Sequence, residues 1–169
     1  LSVWLEKEKH QRRSDIIPPQ IKIAGNYTSS MMAKWQARKN GYDEIILTDE
    51  NGFITEAPTS NVFLVNQDDV LLTAPEEEVL YGITRKSILD IADNEGIKTK
   101  VERIPLSELE NAKEVFITSS SHLVCPVIKI DNKPVGRGGI GVLTDKLKQR
   151  FLKISKGQDS FFSDWLDSI

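Results

Sequence analysis

The sequence predicts one domain of the α+β class, in which helices and strands are mixed and antiparallel strands predominate. Two β-rich runs flank Asn51-Gly52, a dipeptide that favours the tight turn of a β-hairpin. Two more apolar runs, at 61–65 and 70–74, lie on either side of a short polar turn. Helical spacing of apolar residues recurs in three segments, which begin near Thr28, Thr84 and Leu143.

The start of the chain predicts a strand that is entered part-way. Ser-Val-Trp-Leu at 2–5 is strand-like and no methionine precedes it, so we expect a fragment or a mature product whose front portion is missing. A loop is expected at 12–20, because two consecutive prolines there impose extended backbone. The strand-like runs in 44–73 are expected to form one small antiparallel sheet.

Capping residues predict where the helices begin. Thr28 or Ser29 is the expected cap of a helix at 28–40, which Gly41 ends. The apolar face of this helix is expected to consist of Met31, Met32 and Trp35. Thr84 is the predicted cap of the second helix. A capping box, Ser-Glu-Leu-Glu at 107–110, predicts a short third helix.

The composition of the 169 residues is ordinary for a globular protein, with 39% apolar and 28% charged residues. A formal net charge of −3 provides no basic field, which argues against a nucleic-acid partner. The single cysteine, Cys125, allows no internal disulfide, and two histidines are too few to favour a zinc site. Because the sequence has no membrane-spanning apolar run and no signal-peptide pattern, we expect a cytoplasmic enzyme or binding protein.

Three residues in the first third of the chain have side chains suited to chemistry. Lys22 lies in an apolar lead-in, and on the residues alone it is either a solvated lysine or an amine held for reaction. A lysine amine reacts as a nucleophile only when neutral, which requires burial or a nearby cation. Tyr27 either donates a hydrogen bond to a ligand or packs, and Glu56 either pairs with a ring nitrogen or faces water.

Two segments have the features of anion sites. In Gly-Ile-Thr-Arg at 82–85, a glycine precedes a helix start, where backbone N–H groups and the Thr84 hydroxyl favour phosphate; an ordinary capped helix is the alternative. The hydroxyl run at 118–121 follows an apolar strand and is either a second anion site or a polar turn. His122 and Cys125 receive no catalytic role, because neither has partners at a motif spacing.

Five stretches in chain order resemble the fold-type IV pyridoxal-phosphate enzymes. They are KIAGNYTSS at 22–30, GFITEAPTSNVFLV at 52–65, VLYGITRKSIL at 79–89, EVFITSSSHLVCPV at 114–127 and GRGGIGVLTDKL at 136–147. Together they extend over almost the whole chain, and their order makes the resemblance specific. It implies the large domain of the D-amino-acid-aminotransferase-like fold, in which antiparallel-rich sheets form a pseudo-barrel with flanking helices.

The resemblance implies a role for each residue at the reacting end of pyridoxal 5′-phosphate. Lys22 is similar to the lysine that forms the Schiff base with the cofactor aldehyde and then moves the α-proton. Tyr27 is similar to the residue that hydrogen-bonds the phenolic oxygen. Glu56 is similar to the carboxylate that faces the pyridine nitrogen, where it keeps the ring protonated and so a stronger electron sink.

The resemblance also implies the residues that hold the rest of the cofactor and the substrate. Leu80 is similar to the residue that packs on the ring face. Ile83 and Thr84, at a helix start, are similar to phosphate ligands, and Ser120 adds a hydroxyl. The amide of Ser121 is the implied contact of the substrate carboxylate. No metal is implied.

Within this group the chain is most similar to branched-chain aminotransferases. KIAGNYTSS and the tail KGQDSFFSDWLDSI resemble that subgroup, which implies amino transfer between L-branched-chain amino acids and 2-oxoglutarate. EAPTSNVF replaces the usual Glu-Gly-x-x-Glu-Asn-[Leu/Ile]-Phe, and TSSSHL replaces the usual Ser/Thr-Gly-Thr-Ala. A D-amino-acid transaminase or an aminodeoxychorismate lyase of the same fold is therefore an alternative.

The resemblance also implies a domain organisation. Residues 22–169 correspond to the large, cofactor-binding domain, and residues 1–21 to the interdomain segment and entering strand. The family's N-terminal small domain, which contributes a phosphate-binding arginine and much of the substrate pocket, is not in this chain. The expected partners are amino acid and 2-oxo acid substrates and a second copy in a homodimer or higher homo-oligomer. A non-catalytic fragment or binding module is the alternative from another class.

Overall fold

The computed structural model describes residues 1–7 and 16–167. Its strands are β1 Ser2–Glu6, β2 Glu44–Leu47, β3 Phe53–Ile54, β4 Glu56–Ala57, β5 Ser60–Val65, β6 Leu71–Thr73, β7 Thr99–Val101, β8 Ile104–Pro105, β9 Glu114–Ser119, β10 Leu123–Val127, β11 Lys129–Ile130 and β12 Lys133–Pro134. Its helices are α1 Gly25–Lys39, α2 Ile83–Asn94, α3 Leu106–Glu110 and α4 Val142–Ser155, with 3-10 turns at Glu76–Glu78 and Ser160–Trp165. The predicted opening strand is confirmed, whereas the first part of the expected loop, residues 12–15, lies outside the described residues.

The strands form three sheets, and the predicted α+β class with predominantly antiparallel pairing is confirmed. The largest sheet has the order β10-β9-β5-β6-β7, with β4 paired to β5. A second sheet has the order β12-β11-β1-β2, and β3 pairs with β8 in a third. These sheets do not close into a barrel among the residues that the structure describes.

The expectation of one antiparallel sheet in 44–73 is wrong. The hairpin at Asn51-Gly52 is present, since Asp49 and Phe53 are hydrogen-bonded through the backbone and Gly52 has a φ of +82°. However, β2 leaves the hairpin to pair in parallel with β1, and only β4, β5 and β6 join the largest sheet. All four residues of β2 are buried, which suits a parallel strand covered on both faces.

Strand β5 lies at the centre of the core, because the side chains on its two faces belong to two different apolar clusters. Val62 and Leu64 point to a cluster shared with β1, β2 and β9. Phe63 and Val65 point to the cluster under α2 and α4. The Phe63 ring stacks on that of Phe116 in β9 with ring centroids 5.1 Å apart. Burial on both faces holds β5 in place. Its first two residues, Ser60 and Asn61, line a cleft at the surface.

The predicted cap and apolar face of α1 are both wrong. The helix begins at Gly25, so Thr28 and Ser29 lie inside it, and no side chain of the described residues caps it. Met31, Met32 and Trp35 are 42%, 62% and 62% exposed. The buried residues of the helix are Ser30, Ala33, Lys34 and Ala37.

The small side chains of α1 explain why the opposite face is buried. Ala33 and Ala37 allow the helix to approach β2 closely, where they pack with Ile45 and Leu47. Lys34 Nζ then reaches the buried carboxylate of Glu44 at 2.5 Å. The large apolar residues consequently remain on an open surface of the domain.

The other cap predictions also fail. Thr84 lies inside α2, and within the described ranges neither α2 nor α3 has a side-chain cap, so the capping box at 107–110 does not form. The apolar faces of α2 and α4 pack into the cluster under the largest sheet. No helix of the described residues has the length and apolarity that a membrane span requires.

A side chain from the largest sheet caps α4. Glu114, the first residue of β9, accepts hydrogen bonds from the N–H groups of Leu143 at 3.0 Å and Thr144 at 2.7 Å, and from the Thr144 hydroxyl at 2.7 Å. A carboxylate in this position satisfies helix N–H groups and interacts favourably with the helix dipole. Gly141 provides the space, since a Cβ there would lie 2.0 Å from Glu114 Cδ.

Replacing this cap should destabilise the domain. Glu114→Ala is expected to lower the free energy of unfolding by about 1–2 kcal/mol, the usual loss for a helix cap, as measured by chemical denaturation. Gly141→Ala should destabilise as well, because its methyl group displaces the same carboxylate. Glu110→Ala, at an exposed position on α3, is the control and should change stability by less than about 0.5 kcal/mol. Equal losses for Glu114→Ala and the control would contradict the capping role.

Candidate active site

A cleft of about 570 Å³ opens where the segment before α1, the β4–β5 turn, the start of α2 and the end of β9 meet. All the residues predicted to have a role line this cleft: Lys22, Tyr27, Glu56, Leu80, Ile83, Thr84, Ser120 and Ser121. They come from four separate parts of the chain, so their convergence is a property of the fold. Their individual roles remain predictions.

Lys22 lies at the rim of the cleft on a segment whose backbone is fixed from α1. The Asn26 side chain donates hydrogen bonds from Nδ2 to the carbonyl oxygens of Pro18 at 3.2 Å and Ile21 at 2.8 Å. The second carbonyl belongs to the peptide bond that leads into Lys22. Tyr27 follows in the first turn of α1 and is half-buried against the cleft. The amine and the phenol are therefore presented by one helix start.

Glu56 lies on the floor of the cleft, where it is 2% exposed. Its Oε2 accepts a hydrogen bond from the Leu80 N–H at 3.2 Å. The neighbouring strand places Asn61 directly opposite Glu56, and Asn61 is in turn directly opposite Thr118 on β9. Directly opposed residues project to the same face of a sheet. Glu56, Asn61 and Thr118 thus form a buried polar row across three strands.

The start of α2 and the serine loop form the opposite end of the cleft. Thr84 is buried there, whereas Ile83 is 81% exposed, and no side chain in the described part of the chain caps this helix. An uncapped helix N-terminus presents backbone N–H groups to an anion. Ser120 and Ser121 are exposed at the facing edge. His122, which the sequence left without a role, lies beside them, with Nδ1 3.2 Å from the hydroxyl oxygens of Ser119 and Ser121.

Two buried hydroxyl groups in the cleft wall have no hydrogen-bond partner among the described residues. They are Oγ of Ser60, which is 6% exposed, and Oγ1 of Thr118, which is 1% exposed. Buried polar groups in folded proteins are nearly always satisfied, so these two hydroxyls are available to hydrogen-bond a molecule that occupies the cleft. A lysine, a buried carboxylate, an uncapped helix start and these hydroxyls suit a ligand that has an electrophilic carbon, a basic ring nitrogen and a phosphate.

Arg85 contacts the loop at 74–81, which leads into α2, from its buried side. It is fully buried, and its Nη2 donates a hydrogen bond to the Ala74 carbonyl at 2.9 Å. Its guanidinium carbon lies 5.4 Å from the centre of the Tyr81 ring. Burial lowers the pKa of Arg85, and the nearby Glu76 carboxylate opposes that shift. The arginine therefore ties both ends of the 74–81 loop to the helix.

Sequence reasoning gave no role to Ser60 or Asn61, and it included Thr118 and Arg85 only as end residues of the two possible anion sites at 118–121 and 82–85. Each lies within a stretch that resembles the family, but no pattern along the chain brings these four residues together. Their significance depends on strand register and burial. Among the described residues, no cluster of three or more His, Cys, Asp or Glu side chains is arranged to hold a metal ion.

Comparison with known sequences identifies relatives over nearly the whole chain. A sequence model of the family described as amino-transferase class IV matches residues 4–130. A probable branched-chain-amino-acid aminotransferase of Aquifex aeolicus is 35% identical over 94% of this chain and 52% of its own length. The branched-chain-amino-acid aminotransferase of Escherichia coli K12 is 36% identical over 90% of this chain and 50% of its own length. The chain spans about half the length of these curated relatives.

Solved structures agree with the sequence relatives. A T.th. branched-chain amino acid aminotransferase, complexed with N-(5′-phosphopyridoxyl)-L-glutamate, matches 98% of this chain and 56% of its own, with a TM-score of 0.92 and 32% identity. The E. coli enzyme matches 99% of this chain and 55% of its own, with a TM-score of 0.92 and 33% identity. The match of the family model, the relatives' sequences and the shared fold lead to one conclusion: this chain belongs to the class IV aminotransferase family.

Proposed function

We propose that this chain is the cofactor-binding large domain of a pyridoxal-phosphate-dependent branched-chain aminotransferase. The whole protein would transfer an amino group between L-branched-chain amino acids and 2-oxoglutarate. The observation that carries the proposal is the convergence of Lys22, Glu56 and the α2 start in one cleft. The names of the relatives, and the phosphopyridoxyl ligand of a structural neighbour, support it.

The residues of the cleft fit pyridoxal phosphate, which supplies an aldehyde and an electron-withdrawing ring for amino-group chemistry when bound. Lys22 Nζ would hold the cofactor through its aldehyde and would move the α-proton of the substrate. The Tyr27 hydroxyl donates to the phenolic oxygen, and the Glu56 carboxylate keeps a proton on the ring nitrogen. Because Glu56 is almost completely excluded from solvent, its charge acts in a medium of low polarity, where such pairing is strong.

The remaining residues orient the cofactor and the substrate. Leu80, which lines the cleft, would pack on one face of the ring. The N–H groups at Ile83 and Thr84 and the hydroxyl of Ser120 bind the phosphate, and the amide of Ser121 binds the substrate carboxylate.

The role of Lys22 can be tested by covalent trapping. Incubation of the full-length protein with pyridoxal phosphate and then borohydride should add one phosphopyridoxyl group to Lys22, which peptide mass spectrometry locates. Lys22→Ala should abolish this label and lower transamination by about 10³-fold or more, since it removes the group that moves the proton. Lys153→Ala, at an exposed position on α4, should leave both unchanged. A label on another lysine, or none in the wild type, would overturn the proposal.

The reaction can be tested with a panel of substrates. We expect L-leucine, L-isoleucine and L-valine with 2-oxoglutarate to give kcat/KM values at least about tenfold above that of D-alanine. Activity restricted to D-alanine would favour a D-amino-acid transaminase, and release of pyruvate from aminodeoxychorismate would favour a lyase. An inactive but properly labelled protein would favour a non-catalytic role.

The domain arrangement and the assembly are also proposals. Residues 22–169 form the large domain and residues 1–21 lead into it, with a small domain supplied by the rest of a longer protein. The apolar residues Met31, Met32 and Trp35 are open to solvent on the outer face of α1. We propose that this face packs against that small domain, since relatives of the chain are about twice as long. A homodimer and a cytoplasmic location complete the proposal, on the strength of the resemblance.

The exposed face of α1 leads to a prediction about solution behaviour. This chain by itself should self-associate, because a contiguous apolar surface favours aggregation. Trp35→Lys with Met32→Lys should shift the light-scattering mass toward that of a monomer, whereas the same exchange at exposed Gln36 should not. A wild-type chain that is monomeric at high concentration would argue against a covered face.

A further inference from the structure

Asn61 occupies a central position in the cleft, and the proposed function gives it no part. It is 5% exposed and lies between Glu56 and Thr118 in the polar row of the sheet. Its Nδ2 donates a hydrogen bond to the Leu80 carbonyl at 2.7 Å. Glu56 Oε2 accepts from the N–H of the same residue. Two adjacent residues of the row therefore hold both backbone polar groups of Leu80.

The other side of the Asn61 amide lies against Gly82. A Cβ at Gly82 would be 2.3 Å from Asn61 Oδ1 and 3.5 Å from its Cγ, while the next nearest atom, Arg85 Cβ, is at an ordinary 3.8 Å. Gly82 has a φ of −71°, which any residue adopts, so its backbone conformation does not demand glycine. Glycine is required at this position because the Asn61 amide needs the space.

These contacts connect the parts of the cleft that the proposed function uses separately. Leu80 lies in the 74–81 loop held by Arg85, and Gly82 is the residue immediately before the α2 start. Asn61 thus sets the distance from the Glu56 carboxylate to the ring-packing residue and to the phosphate-binding helix start. A shift of this segment would change the distance between the residue that packs on the ring and the helix start that binds the phosphate of the same cofactor.

We propose that Asn61 is the positioning residue of the cofactor site: it locks Leu80 and Gly82 against the Glu56 strand and so sets the orientation of the bound ring. This inference rests on the proposed function. It makes a further statement about that site, namely that the close packing of Asn61 on Gly82 is the contact on which cofactor orientation depends.

A double-mutant cycle on Asn61 and Gly82 tests the inference in the full-length protein. The readouts are the Kd for pyridoxal phosphate, from titration, and the visible circular dichroism of the bound cofactor, which reports ring orientation. Asn61→Ala should weaken binding by about tenfold, the value of one buried hydrogen bond, and change the dichroism. Gly82→Ala should have an effect at least as large.

The decisive result is the double variant. With Ala at position 61, the methyl group added at position 82 meets no atom closer than Arg85 Cβ. Gly82→Ala should therefore weaken binding less than about twofold in the Asn61→Ala background, so that the two effects are strongly non-additive. Additive effects, or wild-type affinity and dichroism in Asn61→Ala, would overturn the inference.

Two further variants separate positioning from stability. Asn61→Asp keeps the shape of the side chain and the oxygen against Gly82 but removes the Nδ2 donor, so it should also alter the dichroism. Asn111→Ala removes a hydrogen bond of the same kind, 2.8 Å to the Ser107 carbonyl at the end of α3, and should leave Kd and dichroism unchanged. A wild-type protein that neither binds the cofactor nor labels Lys22 would overturn the proposed function and this inference together. If the wild type binds the cofactor and is labelled at Lys22, but Asn61→Ala leaves the Kd and the dichroism unchanged, this inference alone would be overturned.

Discussion

The register in which β5 pairs with β4 and β9 is the constraint on which the site depends. It places Glu56, Asn61 and Thr118 side by side, although 62 positions separate the first from the last in the chain. A shift of β5 by one residue would turn Asn61 away from the cleft and break the row between Glu56 and Thr118, because successive residues of a strand face opposite sides. The alternation of Val62 and Phe63 between two apolar clusters opposes such a shift, since both clusters would lose their side chains. The core thereby specifies the geometry of the polar row.

Hydrogen bonds from buried polar groups connect these strands to the loop before α2. Glu56 and Asn61 hold Leu80, and Arg85 holds Ala74 and Tyr81. In a medium of low polarity each of these hydrogen bonds is strong. Removing one partner leaves a buried polar group without a hydrogen bond, which lowers the free energy of unfolding by about 1–3 kcal/mol. The loop therefore has one favoured arrangement. Because α2 begins directly after this loop, the loop also fixes the position of the helix start, whose uncapped N-terminus faces the cleft.

One face of α1 packs on β2, and the other is open to solvent. Its small residues and the Lys34–Glu44 pair attach it to β2, and breaking such a buried pair typically costs about 3–5 kcal/mol. This attachment orients the first turn of the helix, from which Asn26 fixes the backbone at Lys22. The larger apolar residues were expected in the core because of their hydrophobicity. They lie outside because close helix–strand packing selects small side chains, which leaves the bulky ones for another surface.

The residues gathered at the cleft were expected from the resemblance to a known family. The pattern of apolar and turn residues determined by itself the class of the fold, most strands, and the helical spacing of the apolar residues in α2 and α4. These features depend on local periodicity and on side-chain chemistry, which the sequence contains directly. Only the tertiary structure decided which strands pair, where α1 begins and which of its faces is buried. It also assigned the α4 cap to Glu114 and the space beside Gly82 to Asn61. Each of these is a contact between residues distant in the chain, and its free energy depends on packing that no local pattern encodes.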